Sequence, residues 1–217
     1  MMKLLLSLTL IWALSSTGEA LVCQTCTTSA CNVTVPLKCS SETMCITAAL
    51  EVTSEQQIIK GCASSSVCPA IGFHTYSINL GGSSALVYAF CCDTDNCNSA
   101  TLPFPAVPAA NSLQCYSCDT SDCNNPLQCK GTEDRCFQTS VRFRSTNVAV
   151  LGCASTNMCA AAADLGQLPF LPSVGNMGPT CCTTNLCNTL TSAASDACCT
   201  RAAMIHLLIG LLVFTLY

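Results

Sequence analysis

Two short stretches, CCDTDNCN at residues 91–98 and CCTTNLCN at residues 181–188, close two copies of one cysteine pattern. Each copy opens with CxxC and keeps sixteen residues between its fifth and sixth cysteines. Every cysteine of the second copy lies 90 to 92 residues after its counterpart in the first. We call the copies the first repeat (residues 21–98) and the second repeat (residues 113–188). Because the residues between the cysteines differ widely, we infer that the cysteines determine the fold.

Residues 1–20 have the composition of a secretory signal peptide. Lys3 precedes an apolar run, and Gly18 and Ala20 supply the small residues that a cleavage site needs. The run is too short to cross a membrane comfortably, so a signal peptide is favoured over an anchor. We therefore expect the mature chain to begin at Leu21, in an oxidising compartment where disulfides persist.

The C-terminal segment, residues 189–217, has the arrangement of a glycosylphosphatidylinositol (GPI) attachment signal. Small residues within 191–197 are followed by a polar spacer and by an apolar tail, residues 202–217. The tail is shorter than the roughly 20 residues of a spanning helix, and a short single-pass helix is the alternative interpretation. We expect the lipid to be attached at Ser192, with Ser195 as the second choice.

The 22 cysteines indicate either disulfides or metal sites. A zinc site would need matched CxxC pairs or histidines, and His74 is the only histidine between the signal segment and the apolar tail. The oxidising compartment and the shortage of ligands favour disulfides, so no metal or cofactor is expected. Attachment at Ser192 or Ser195 would remove Cys198 and Cys199 with the tail and leave twenty cysteines to pair.

Charge and side-chain chemistry argue against two classes of function. Residues 21–192 contain six Lys/Arg and ten Asp/Glu, a net charge of −4, without the basic stripe that binds nucleic acid. A hydrolase needs a base near its nucleophile, yet His74 stands within a predicted strand and the serines cluster in turns. We therefore predict that the chain is not an enzyme and does not bind nucleic acid.

The segments between the cysteines have the two-residue periodicity of β-strands. In the second repeat, apolar and polar residues alternate over 137–144, and a turn at 145–147 leads into a return strand at 148–151. In the first repeat, residues 73–80 and 85–90 flank a Gly-Gly-Ser-Ser turn, which predicts another hairpin. Neither repeat contains a convincing amphipathic helix. The sequence therefore predicts an all-β, disulfide-rich fold.

Residues 99–112 form a linker between the repeats. Its prolines, Pro103, Pro105 and Pro108, favour an extended and fairly stiff spacer. Units as small as the two repeats bury little apolar surface, so cross-links are needed to stabilise each of them.

The cysteine pattern resembles the lymphocyte antigen-6/urokinase-receptor (LU) domain family, which shares the three-finger fold of snake toxins. The resemblance rests on the openings LVCQTC (21–26) and LQCYSC (113–118) and on the CCxxxxCN closings, and it covers nearly all of residues 21–188. It implies two tandem three-finger domains, each a knot of disulfides with three projecting hairpins. It also implies that the closing residues, Asn98 and Asn188, tie the C-terminal end of each repeat to the knot.

The resemblance further implies how the cysteines pair, which spacing alone leaves open. In the first repeat the implied disulfides are Cys23–Cys45, Cys26–Cys31, Cys39–Cys62, Cys68–Cys91 and Cys92–Cys97. In the second repeat they are Cys115–Cys136, Cys118–Cys123, Cys129–Cys153, Cys159–Cys181 and Cys182–Cys187.

Three places are candidates for modification or partner contact. Asn32 begins Asn-Val-Thr, the one N-glycosylation sequence of the mature chain. Arg142 and Arg144 share a strand face in the second repeat, although a solvated polar face would show the same alternation. A third candidate is the Gly- and Pro-rich segment from 160 to 180, whose apolar side chains include Leu168 and Phe170. Such a segment either packs between the domains or exposes an adhesive patch.

These features predict a GPI-anchored cell-surface protein with two LU domains that binds an extracellular protein ligand. Its lipid would hold it on the outer leaflet of the plasma membrane, and receptor, adhesion or receptor-modulating roles all fit. The two-domain branch it resembles also includes the gamma-type phospholipase inhibitors. A secreted inhibitor of a phospholipase or protease is therefore the alternative, and the C-terminal signal argues against it. A toxin-like channel modulator is supported by fold analogy only.

Overall fold

The computed structural model of the chain describes residues 20–27, 30–53, 55–119, 122–143, 146–165 and 180–190. Within these residues the chain forms eleven β-strands and one helix. The strands of the first repeat are β1 (Val22–Cys26), β2 (Thr34–Lys38), β3 (Met44–Val52), β4 (Glu55–Ala63), β5 (Gly72–Asn79) and β6 (Ser84–Cys92). The remaining elements are β7 (Ala110–Ser117), β8 (Asn125–Lys130), β9 (Arg135–Phe143), β10 (Thr146–Ala154), α1 (Thr156–Leu165) and β11 (Thr180–Cys182).

Seven of the strands form one sheet that runs through both repeats. Its order is β11-β9-β10-β5-β6-β3-β4, and every neighbouring pair is antiparallel. The pairs β1–β2 and β7–β8 form two separate small sheets. The two predicted hairpins form as β5–β6 and β9–β10, and the all-β, disulfide-rich fold class is confirmed.

Ten disulfides hold these strands together, five in each repeat. In the first repeat the structure joins Cys23–Cys45, Cys26–Cys31, Cys39–Cys62, Cys68–Cys91 and Cys92–Cys97. In the second repeat it joins Cys115–Cys136, Cys118–Cys123, Cys129–Cys153, Cys159–Cys181 and Cys182–Cys187. Each repeat has a buried group of cysteines where its strands converge. These disulfides add cross-links to the limited apolar surface that so small a unit can bury alone.

Asn98 and Asn188 occupy equivalent buried positions and connect the end of each repeat to its first strand. Asn98 Oδ1 accepts a hydrogen bond from Gln24 N at 2.9 Å, and Asn98 Nδ2 donates to the carbonyls of Gln24 and Ile46 at 2.8 Å each. Asn188 makes the corresponding pair of bonds with the Tyr116 backbone, at 2.8 and 2.9 Å. One side chain therefore satisfies several buried backbone groups at once.

The helix α1 was not predicted, since the sequence analysis found no convincing amphipathic helix in either repeat. Ser155 precedes it, and Ser155 Oγ accepts a hydrogen bond from Met158 N at 3.2 Å, as an N-cap residue does. Residues 160–163 are alanines, which have the strongest helix propensity. In the first repeat Pro69 stands where the second has Ala160, and only a turn forms there. No helix in the described part of the chain combines the length and the apolar character that a bilayer crossing needs.

The largest apolar core is shared by the two repeats. One face of β3–β6 contributes its buried side chains, and β9, β10 and α1 contribute theirs to the same cluster. Its larger members are Ile46, Leu50, Ile59, Tyr76, Ile78, Leu80, Val87, Phe137, Val150 and Met158. Because these side chains pack in one cluster, the repeats are halves of one folded body.

Candidate protein-binding surface and the seam between the repeats

A pair of strands, β10 and β5, forms the seam between the two repeats. Ala154 lies opposite Ile78 in this pairing. Just beyond it, Ser155 N donates to Ser77 O at 2.9 Å, and Ser77 N donates to Ser155 Oγ at 3.0 Å. The seam therefore combines a short strand pairing with further backbone and side-chain hydrogen bonds, which together fix the register and orientation of one repeat against the other.

A buried carboxylate, Glu133, reinforces the seam. Its Oε1 accepts a hydrogen bond from Ser77 Oγ at 2.8 Å, and its Oε2 accepts one from Lys130 N at 2.8 Å. Burial raises the pKa of the Glu133 carboxyl above its ordinary value. The hydrogen bonds from Ser77, Lys130 and Asn79 act in the opposite direction and offset only part of that rise.

We expect Glu133→Gln to remove a pH-dependent part of the stability. Because the pKa of Glu133 is raised in the folded protein, folding favours the protonated carboxyl. The resulting contribution to the free energy of unfolding is fully present below the unfolded-state pKa. It is lost as the pH rises through the folded-state pKa. We therefore compare the free energy of unfolding of the wild type with that of Glu133→Gln. The wild-type value minus the variant value should fall as the pH rises above the ordinary pKa of a carboxyl group. Denaturant unfolding of both proteins at a series of pH values measures this difference. A difference that stays constant with pH would contradict the assignment.

Residues 99–109, the part of the linker that precedes β7, are attached at both ends to the folded body. At its start the buried Lys60 ammonium group donates a hydrogen bond to Ser99 O, and burial lowers the pKa of this amine. At its end Gly131 N donates to Ala109 O at 2.8 Å. The linker is thus a strap that crosses from one repeat to the other along the sheet.

A groove of about 310 Å³ lies between this strap and strands β5 and β6. Side chains from the first repeat, the linker and the second repeat all line it, and none of them is charged. They are Thr75, Leu86, Tyr88, Pro103, Phe104, Pro105, Ala106, Pro108, Gly131 and Thr132. The groove is therefore an apolar feature that exists only when the two repeats are joined.

An aromatic cluster adjoins the groove, and we define it as Phe73, Tyr88 and Phe90, of which Phe73 is exposed and the other two are half-buried. The Phe73 side chain is 60% exposed. Its ring stacks on Tyr88 with centroids 5.3 Å apart and meets the ring of Phe90 at 5.0 Å. Because Tyr88 also lines the groove, the cluster and the groove form one continuous surface. Single exposed apolar residues are ordinary, but a group of stacked aromatic rings is typical of protein interfaces.

The sequence analysis named other residues as candidate contacts. Arg142 lies in β9 opposite Asn147 of β10, and its side chain is outside the described part of the structure. The residues that fall outside the described ranges altogether are Arg144, Leu168, Phe170, Ser192 and Ser195. Their proposed roles stay predictions. The sequence analysis did not identify the aromatic cluster, because its members become neighbours only through the pairing of β5 with β6.

Two groups of buried sulfurs come close enough together to resemble metal sites. One consists of Cys23, Cys39 and Cys62, and the equivalent group in the second repeat is Cys115, Cys129 and Cys153. All six cysteines are in disulfides. A metal is bound by the thiolate form of cysteine, so the bonded sulfurs are not ligands.

The u-PAR/Ly-6 domain profile matches the chain twice, at residues 19–100 and again at residues 111–189. The chain belongs to the u-PAR/Ly-6 family. This u-PAR/Ly-6 chain is 28% identical over 140 residues to the urokinase plasminogen activator surface receptor of Aotus trivirgatus, a match that covers 60% of the chain and 38% of the receptor. It is 27% identical over 149 residues to the receptor of the same name from Bos taurus, covering 64% of the chain and 42% of that receptor. The chain thus matches about two fifths of the length of these relatives.

Proposed function

We propose that this u-PAR/Ly-6 chain is a non-enzymatic extracellular protein that is held on the outer leaflet of the plasma membrane by a GPI lipid. There it binds a protein ligand, as a receptor, an adhesion protein or a modulator of another receptor. The aromatic cluster beside the linker groove is the observation that carries this proposal. Stacked, uncharged aromatic rings beside an apolar groove are the features that dominate binding energy at protein interfaces.

The construction of the seam supports a binding role. We take residues 21–98 and 113–188 as the two domains and residues 99–112 as the linker between them. Since sheet hydrogen bonds and a common core join the domains, a ligand that contacts both does not have to immobilise one against the other. Less conformational entropy is then lost on binding.

The relatives support a role at the cell surface. Both are named as surface receptors for urokinase plasminogen activator. Because the match covers only about two fifths of those receptors, we carry over the class of function, surface reception of a protein, and not the ligand.

Surface release tests the anchor. The full chain is expressed in vertebrate cells, which are then treated with phosphatidylinositol-specific phospholipase C. We expect the protein to move from the cell surface into the medium. Protein that is already free in the medium before treatment would contradict the anchored form and favour a secreted inhibitor.

Phe73→Ala tests the binding surface on the same cells. Proximity labelling of neighbouring surface proteins compares the wild type with Phe73→Ala and with Val107→Ala, which removes another exposed apolar side chain, one that does not line the groove. Truncation of a central aromatic residue at an interface costs about 2 kcal/mol or more, or roughly thirtyfold in affinity. We expect labelled partners to be lost in Phe73→Ala and kept in Val107→Ala. Identical labelling by all three proteins would show that the aromatic cluster is not the contact.

A further inference from the structure

Strand β2 and the residue just before it carry a row of exposed apolar side chains, which we call the apolar row. Its members, Val33, Val35 and Leu37, are 59%, 43% and 47% exposed. Alternate residues of a strand point to the same side, so Val35 and Leu37 share one face of β2, and Val33 lies directly before the strand. In the described part of the structure β2 pairs only with β1, which leaves its other edge open. An open strand edge with exposed apolar side chains favours pairing between copies of a protein.

An N-glycosylation sequence stands at the start of this row. Asn32 is exposed and directly precedes Val33, the first residue of the row. The Cys26–Cys31 disulfide closes the loop just before it, and Cys31 has a φ of 49°, so the chain turns sharply there. A glycan attached to Asn32 would therefore be fixed beside β2 and would not hang from a long loop.

The second repeat provides an internal comparison, because it lacks the glycosylation sequence. Asn124 follows the third cysteine of its repeat as Asn32 does, but it is followed by Asn-Pro. Its side-chain amide donates a hydrogen bond to Asp122 Oδ1 at 2.9 Å. In β8, the strand that matches β2, Leu127 is half-buried against the cysteine group of its repeat. The glycosylation sequence therefore occurs in the repeat whose strand exposes the apolar row.

We propose that an N-glycan on Asn32 covers the apolar row and prevents the open edge of β2 from pairing with a second copy of the chain. A glycan is bulky and solubilising, and two residues of β2 act in the same direction. Pro36 lacks the N–H that a pairing strand would need, and Lys38 adds a charge. The inference rests on the proposed extracellular function, because glycosylation requires the secretory route.

The test compares four forms of the full chain expressed in vertebrate cells. Asn32→Gln and Thr34→Ala destroy the glycosylation sequence through different residues, and Thr34→Ser is the matched control that keeps it. Digestion with peptide-N-glycosidase F should increase the gel mobility of the wild type and of Thr34→Ser only. Sedimentation of the purified proteins should show self-association at least about tenfold tighter for the two unglycosylated variants. Enzymatic removal of the glycan from the folded wild type should have the same effect, which guards against a variant that fails to fold.

A rescue experiment and the contrary outcomes complete the test. Adding Val35→Thr and Leu37→Thr to Asn32→Gln should return the protein to the monomeric behaviour of the wild type. The inference is overturned if the wild type reaches the cell surface without a mobility shift, or if the unglycosylated forms stay monomeric. A chain found inside the cell with residues 1–20 still attached would instead contradict the proposed function, and this inference with it.

Discussion

Replacing Gly152 by alanine is expected to part the two domains at their seam. A Cβ at this position would lie 2.1 Å from Asn79 O and 2.9 Å from Leu80 Cδ2. The nearer contact is with backbone of the neighbouring domain, so no side-chain rotation can relieve it. Overpacking of a buried site costs about 1–3 kcal/mol. We expect a loss at the upper end of that range, because strand β10 must also give up its bonds to β5.

Hydrogen exchange at the Ser77 and Ser155 amides measures this effect directly, since both donate across the seam. Their protection should fall in Gly152→Ala, together with the unfolding temperature. Gly82→Ala is the matched control, because a Cβ there meets no atom within 4 Å. That substitution should be neutral or slightly stabilising, as it reduces the entropy of the unfolded chain. Unchanged protection of both amides in Gly152→Ala would show that the seam tolerates a side chain.

Asn98→Ala should cost about 3 kcal/mol of unfolding free energy, counting about 1 kcal/mol for each of the three hydrogen bonds that the side chain makes. The loss is large because alanine leaves the amide of Gln24 and the carbonyl of Ile46 buried without this partner. A buried unsatisfied group costs more than a lost bond between exposed groups.

Urea unfolding of the oxidised protein tests this expectation in each repeat. Asn188→Ala should show a loss of similar size, since Asn188 makes the equivalent bonds to Tyr116. Asn124→Ala is the control, because its side chain bonds to Asp122 at an exposed site and should contribute little. A loss below about 1 kcal/mol for both Asn98→Ala and Asn188→Ala would mean that water replaces the asparagine.

The cysteines explain why so much of the fold could be predicted. Their repetition indicates two domains, and the alternation of apolar and polar residues between them predicts hairpins such as β9–β10. Their pairing is another matter, because spacing alone is compatible with many connectivities. The resemblance to a known family was needed to propose pairs at all.

The seam could not be predicted, for a physical reason. It depends on two residue pairs between β5 and β10, which are about seventy residues apart in the chain. Nothing in the periodicity of either strand distinguishes an edge that meets a partner from one that faces water. The aromatic cluster was missed for the same reason, since Phe73 faces Phe90 only once β5 is aligned with β6. The helix α1 did leave a signal, the alanines after Ser155, and this signal was overlooked.

The way in which the linker is attached has a consequence for shedding. Val107 in the middle of the linker is 75% exposed, so a protease could reach the chain there. A cut at this point would break the polypeptide but none of the bonds of the β5–β10 seam or the packing of the common core. The N-terminal fragment would then stay bound to the C-terminal fragment. If the chain is anchored as proposed, release of its first domain would require the seam to open and not merely the peptide bond to be hydrolysed.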